Sequence, residues 1–400
     1  KSGNSSTNVL CLNGVAGNYA SAPDSVPLDI TDNITLDALA ELPSWATAAN
    51  QHLVAKFTTT GNQRSYRLGV GGSGGLGAGL LFFSISTGGD SGTTTNYVST
   101  AAVGFSAFAK KWVRVTRQRS SGDIKFYTSD SGTTWTQLGT TVSGSTSAMF
   151  VGTAVLEVGS ISAGTLELAA GVIYRAMVYN GYEGAGTLVF DANFALAAKL
   201  APSFTESSSN AATVQIFSSG ATGARISGAR DLYQGTAANQ PILTIAAAGN
   251  YLTFDGSNDY LKAAAFALAQ PETVYFVGSQ VTWTSGDAFF DGNALGNGMA
   301  LAQNSLTPAL SLFAGTQISD LIAPALNTRS VISAVFSGAA SFLRLNRAAA
   351  ASASVGVESG NGFTLGCVRN TTGFSNITAQ EVVVYSTAQD ENYQYRVTRL

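Results

Sequence analysis

Residues 251–261 read Tyr-Leu-Thr-Phe-Asp-Gly-Ser-Asn-Asp-Tyr-Leu, and no other stretch restricts the fold as strongly. Apolar or aromatic side chains at Tyr251, Leu252, Phe254, Tyr260 and Leu261 flank the polar corner Asp255-Gly256-Ser257-Asn258-Asp259. Glycine takes φ > 0 freely and Asn and Asp tolerate such turns, so one strand must run into the corner and another must leave it. A looser copy, Val-Leu-Cys-Leu-Asn-Gly-Val-Ala-Gly-Asn-Tyr-Ala, occupies residues 9–20, about 240 positions earlier. The same order recurs: hydrophobic, polar, glycine, short polar run, tyrosine. The chain is expected to hold two copies of one β domain.

A length of 400 residues agrees, being too long for one ordinary core. Charged residues make up only 11%, where about 25% is usual, and 44 glycines accompany many Ser, Thr, Ala and Asn. A net charge of −3 with 21 Lys and Arg offers no basic stripe, which excludes nucleic acid as a partner. Cys11 and Cys367 sit in apolar contexts in opposite halves and read as two buried thiols, one per core. No apolar run reaches about 18 residues, so no membrane-spanning helix is expected. The chain begins at Lys1 without a signal-type apolar region, and is expected to be a mature product or part of something longer.

Strands are expected at 9–12, after the Asp32-Asn33 turn to Leu42, at 52–57 and 64–70 around the turn Thr60-Gly61-Asn62, and at 80–86. Residues 112–117 alternate cleanly, with Trp112, Arg114 and Thr116 on one face and Val113, Val115 and Arg117 on the other. Strands at 124–127, 134–138 and 171–179 complete the first half. The second half repeats the rhythm at 273–277, 288–290, 309–313, 330–336, 341–345, 363–365 and 381–385. Only the tail, 387–400, reads as helical: Ser386 or Thr387 caps it, Asp390 and Glu391 lie in its first turn, and Arg396 and Arg399 in its last. Ser- and Ala-rich composition from 187 to 249 places the domain boundary within 202–209, giving domains 1–205 and 206–400.

Residues 254–261 resemble the opening of the concanavalin A-like (laminin-G-like, pentraxin-like) jelly rolls. Residues 330–336 and 342–346 resemble the central strand pair of that family, with Arg347 standing where its turn commonly has Gly. Residues 381–385 and the tail resemble its closing strand and terminal helix, and 112–117, 124–127 and 130–135 resemble the same central elements in the first half. The resemblance implies an all-β chain of two tandem concanavalin A-like jelly-roll β-sandwiches with a short C-terminal helix. Tandem copies resemble modules of bacteriophage virions, in tail or capsid-decorating proteins. It therefore implies a virion-surface or extracellular protein that binds glycan or docks on other virion structural proteins, with a homotrimer as the assembly suggested by analogy.

The same fold class hosts glucanases, so a polysaccharide-degrading depolymerase is the rival. Such chemistry needs two carboxylates about 5–5.5 Å or 6.5–9.5 Å apart. No Glu-x-Asp-x-x-Glu run is present; Glu157, Glu167, Glu183, Glu272, Glu358 and Glu381 stand alone in sequence, which leaves convergence through space as the open route. The lone histidine, His52, has no Gly-x-Ser-x-Gly partner motif and reads as structural. Glycines in 69–79 lack the Gly-Lys-Ser/Thr ending of a phosphate loop. Asp255, Asn258 and Asp259 gather oxygen donors in one corner, either as turn formers or as ligands for a weak Ca²⁺. Sugar binding needs an aromatic platform beside hydrogen-bonding groups, and Tyr97, Trp135 and Trp283 lie in suitably polar loops. The expectation is a non-enzymatic binding protein with no cofactor beyond that Ca²⁺.

Overall fold

The computed structural model describes residues 7–219, 223–228, 230–246 and 249–389. The chain divides into two compact units, Lys1–Ala229 and Arg230–Leu400. In the first, β1 (Asn8–Asn13), β2 (Tyr19–Ala22), β3 (Ile34–Glu41), β4 (Gln51–Thr58), β5 (Gln63–Val70), β6 (Leu80–Ser86), β7 (Thr94–Ala102), β8 (Lys110–Gln118) and β9 (Asp123–Ser129) come in succession. Strands Leu156–Val158 and Ala170–Asn180 follow. One antiparallel sheet runs β9, β8, β3, Ala170–Asn180, β1; the other runs β2, Leu156–Val158, β4, β5, β6, β7.

The second unit repeats this plan strand for strand. Its first sheet runs Ser341–Leu345, Ser330–Phe336, Glu272–Gln280, Asn376–Tyr385, Tyr251–Asp255. Its other sheet runs Leu261–Lys262, Thr364–Leu365, Ala288–Asp291, Ala300–Gln303, Leu310–Phe313, Gln317–Ile322. In both units the glycine corner carries the chain out of the first strand's sheet and into the opposite one. Gly14 (φ 70°), Gly17 (φ 81°) and Gly256 (φ 76°) supply the left-handed backbone those reversals require.

Alternation along the strands decides what is buried. Val113 and Val115 of β8 point inward with Leu36, Phe126 and Ile173, against Val54, Leu68 and Phe83 from the opposite sheet. Phe254, Phe276 and Ile332 meet Phe290, Leu301 and Leu312 in the second unit in the same way. Each such side chain contributes roughly 1.5–3 kcal/mol by leaving water, so the two-sheet core is what holds each unit together. Buried cations close the inner face of the first unit at one rim. The Lys56 ammonium lies 2.8 Å from Asp24 and 2.6 Å from Asp29, and Arg117 donates to the carbonyls of Asp32 and Ser145, both at 2.9 Å.

Several expectations need correction. The first unit does not end at 205. Thr213–Phe217 pairs with both Ser203–Thr205 and β2, and Arg225–Gly228 pairs with β1, so residues past 206 complete its sheets. Tyr97, expected in a polar loop, lies instead in β7; a sheet-edge strand exposed on one face needs little apolar alternation to stay paired with β6. Gln317–Ile322 is likewise an edge strand, and Ala300–Gln303, an interior strand of four residues, is too short for its alternation to stand out. The expected strand at 134–138 shrinks to Thr136–Gln137. At the turn where Arg347 replaces glycine, Asn346 itself takes the left-handed conformation (φ 51°) and its side chain accepts from Val331 N–H at 2.9 Å. Helical turns among the described residues are short 3-10 segments, and none is long and apolar enough to cross a membrane. The expected terminal helix falls from residue 390 onward outside the described residues. Cys11 and Cys367 are both buried, one in each unit.

Candidate functional site

The hairpin following β9 builds a polar pocket at the edge of the first unit. Ser129 Oγ accepts from the backbone N–H of Gly132 at 2.9 Å, and Ser131 Oγ from those of Thr133 and Thr134 at 3.2 Å, so short hydroxyl side chains wind the loop tightly. Gly132 has φ 76°, and a Cβ there would lie 2.7 Å from the Trp112 ring. Only glycine fits both the backbone and the space. The pocket has a volume of about 250 Å³ and is lined by Phe105, Lys111, Thr128, Ser129, Asp130, Ser131, Thr134 and Thr136. Lys111 pairs with Asp130 across it, and the ammonium lies 5.4 Å from the Phe105 ring centre. Five Ser and Thr residues, one ion pair and one aromatic residue thus line a single small cavity.

Trp135 does not line this pocket. Its half-buried ring packs edge-on to Trp112 with centres 6.3 Å apart, and the Arg114 guanidinium lies 3.9 Å from its centre. Arg114 is itself held by two bonds to Asp37, at 2.7 and 2.6 Å. Burial raises the Asp37 carboxyl above its ordinary range, and Arg114 opposes that shift. This ladder anchors the hairpin, so Trp135 positions the pocket wall rather than forming it.

The other expected platforms are also engaged. Tyr97 is a core residue, not a rim one: it is 8% exposed and its hydroxyl accepts from Ser145 N–H at 2.9 Å. Trp283 is half-buried and donates its indole N–H to the Ala309 carbonyl at 3.0 Å. At the second corner, Asp255 Oδ1 accepts from Ser257 N–H at 2.8 Å and Asn258 N–H at 3.2 Å, and Asp259 Oδ2 accepts from Asp255 N–H at 3.0 Å. These are turn-forming bonds, and they hold the Asp255 carboxyl low against a burial effect that would raise it. Asn258 Oδ1 is buried without a hydrogen-bond partner, and leaves an oxygen donor free beside two carboxylates. Among the described residues, no three Asp, Glu, His or Cys side chains gather as a metal cluster.

His52 lies fully buried, with Nδ1 3.2 Å from Glu167 Oε2 and its ring edge-on to Phe82. Burial first, and Arg67 second, hold its imidazole well below the ordinary value, so it is neutral and structural. Glu157, also buried, accepts from Ser160 Oγ (2.6 Å), Ala163 N–H (2.7 Å) and Gly164 N–H (3.0 Å), and ties down the loop that follows it. The hydroxyl-rich hairpin was visible in the sequence; Phe105 and Lys111 were not, because they reach the pocket from the start of β8 and the loop before it.

No protein-family model matches the chain, and no curated protein matches it. Among solved structures, a protein from Bacteroides ovatus described as carbohydrate-binding shares 12% identity at TM-score 0.40, over 56% of this chain and 60% of that one. The LG1-3 region of the laminin α2 chain shares 12% at TM-score 0.40, over 96% of this chain and 63% of that one. The carbohydrate-binding module of a Ruminococcus gnavus sialidase, bound to α2,3-sialyllactose, shares 13% at TM-score 0.30, over 43% of this chain and 92% of that one. This chain therefore spans under two thirds of the first two structures. At such identities and scores no family is assigned; the fold rests on the chain's own strand order.

Proposed function

We propose that this protein is a non-catalytic glycan-binding protein whose first unit takes a neutral or weakly charged sugar in the pocket under the Trp135 hairpin. The observation that carries the reading is the lining: five Ser and Thr residues, the Lys111–Asp130 pair and Phe105 around about 250 Å³. Hydroxyls both donate and accept, so they match a polyol whose groups do the same. An aromatic ring receives the apolar face of a pyranose, and the ion pair offers charge-assisted bonds to sugar hydroxyls. The cavity lies at the small end for a ligand site, which suits one or two rings of a longer chain.

Hydrolysis needs two opposed carboxylates, and Asp130 is the sole carboxylate in the lining among the described residues. In this reading each domain is a concanavalin A-like jelly roll, supported by the same strand order in both units. The protein sits on an extracellular or virion surface, a setting suited to a chain with only 11% charged residues. Assembly as a homotrimer would multiply weak single-site affinity by avidity. A weak Ca²⁺ site at Asp255, Asn258 and Asp259 belongs to the same reading, supported by the unpartnered Asn258 oxygen.

A glycan array tests the proposal. The expected result is binding to surface polysaccharides, part of which Thr136→Trp removes without lowering the melting temperature. Silence of the wild-type chain across the array, or equal binding by the variant, would overturn it.

A further inference from the structure

We propose that the second unit carries its own saccharide cleft, on the face of its sheet that turns away from the core. Leu301 and Leu312 point into the core, so their strand neighbours Ala300, Ala302 and Phe313 project to the opposite face. There Ala288 pairs with Ala302, and Ala300 with Phe313. Ala302 is the part-exposed residue of this floor, and the buried Ala288 and Ala300 beside it add no bulk above the sheet. Phe313 and Arg369, the latter from the loop after Thr364–Leu365, together border a cavity of about 190 Å³. Asn304 and Gln317 supply amides in the same lining.

The electrostatics select the ligand. Asp291 is fully buried, and its carboxylate accepts from the backbone N–H of Gly292 (2.7 Å), Met299 (3.0 Å) and Arg369 (3.1 Å), and from Arg369 Nη1 at 3.0 Å. That grip fixes the guanidinium, whose carbon lies 5.1 Å from the Phe313 ring centre. The Arg369 side chain keeps 17% of its surface exposed, so the guanidinium held in this way borders the cleft as a fixed charged donor. Glu358 stands close by: a Cβ built at Gly298 would meet Arg369 Nη1 at 2.7 Å and Glu358 Oε2 at 2.9 Å. Lys262, whose ammonium donates to the Arg369 carbonyl at 2.9 Å, makes two cations beside the carboxylates of Asp291 and Glu358; no net positive charge is left to select an anion, so the group that Arg369 takes is a neutral hydroxyl. A flat apolar floor, one aromatic wall, a fixed charged donor and two amides fit a single ring of a neutral saccharide. The cleft uses no residue of the hairpin pocket and stands independently of it.

The test uses the full chain carrying Thr136→Trp, which blocks the hairpin pocket, in affinity electrophoresis against dextran, laminarin, galactan and heparin. The expected result is retention by at least one neutral polysaccharide, weakened about tenfold by Ala302→Trp, which fills the floor, and also weakened by Gln317→Ala. Gln317 is exposed, so its variant tests the cleft even where the tryptophan variant melts early. Three results overturn the cleft: no retention of the blocked chain by any neutral polymer, equal retention after both cleft substitutions, or retention by heparin alone. The Ala302→Trp single variant, with its hairpin pocket intact, separates failure here from failure of the first-unit reading.

Discussion

Glu272 opens the strand Glu272–Gln280 and is fully buried, yet neither carboxyl oxygen has a hydrogen-bond partner among the described residues. Burial alone pushes its pKa from 4.5 up to about 8. The sign of the effect follows. Below about pH 4.5 the group is protonated in both states, and the folded state has its full stability relative to the unfolded one. Between 4.5 and 8 the unfolded chain has released the proton and the folded one has kept it, so stability falls as pH rises. At about 1.4 kcal/mol per pH unit, the interval amounts to roughly 5 kcal/mol, a large share of a domain's total. Asp287, which burial raises from 3.8 to about 6, adds a smaller drop of the same sign, complete by about pH 6. The second unit has no histidine to confuse the reading, and Trp283 is its one tryptophan. Urea unfolding followed by fluorescence at pH 5, 6.5 and 8 should show the second unit's midpoint dropping steadily. Glu272→Met, near in volume and without charge, should flatten most of that drop while leaving Asp287's part. A midpoint independent of pH in the wild type, or the same slope in the methionine variant, would refute the argument.

Three shorter predictions concern other parts of the molecule. Gly132→Ala should cost roughly 1–3 kcal/mol, because the backbone is left-handed there and the new methyl meets the Trp112 ring; urea unfolding of the first unit measures it. Lys56→Met should cost roughly 3 kcal/mol in the same assay, since it leaves Asp24 and Asp29 facing each other's charge without the ammonium that joins them. Calorimetry with millimolar Ca²⁺ should show heat that Asp259→Asn removes, and no heat in the wild type would dispose of the corner site.

Much of the architecture was readable residue by residue. The alternation from Trp112 to Arg117 predicted which side chains face the core, because strand geometry sends neighbours to opposite faces whatever surrounds them. The two glycine corners marked where the chain changes sheets, since such a reversal needs the same backbone freedom each time it is made. Tyr97 shows the limit. Its polar neighbours suggested an exposed loop, while pairing with β6 turns it inward, and nothing local to the residue specifies that pairing.

The chain's own letters thus determined its strand class, its twofold plan and the hydroxyl character of the hairpin, all of which follow from the chemistry of adjacent residues. Tertiary structure alone decided where the first unit ends, because its last strands pair with β1 and β2 near the chain's beginning. It alone brought Arg369 to Asp291 and set both beside a floor of alanines. Sites of that kind are assembled by register between distant strands, and register is fixed by the packing of a whole sheet rather than by any one segment of it.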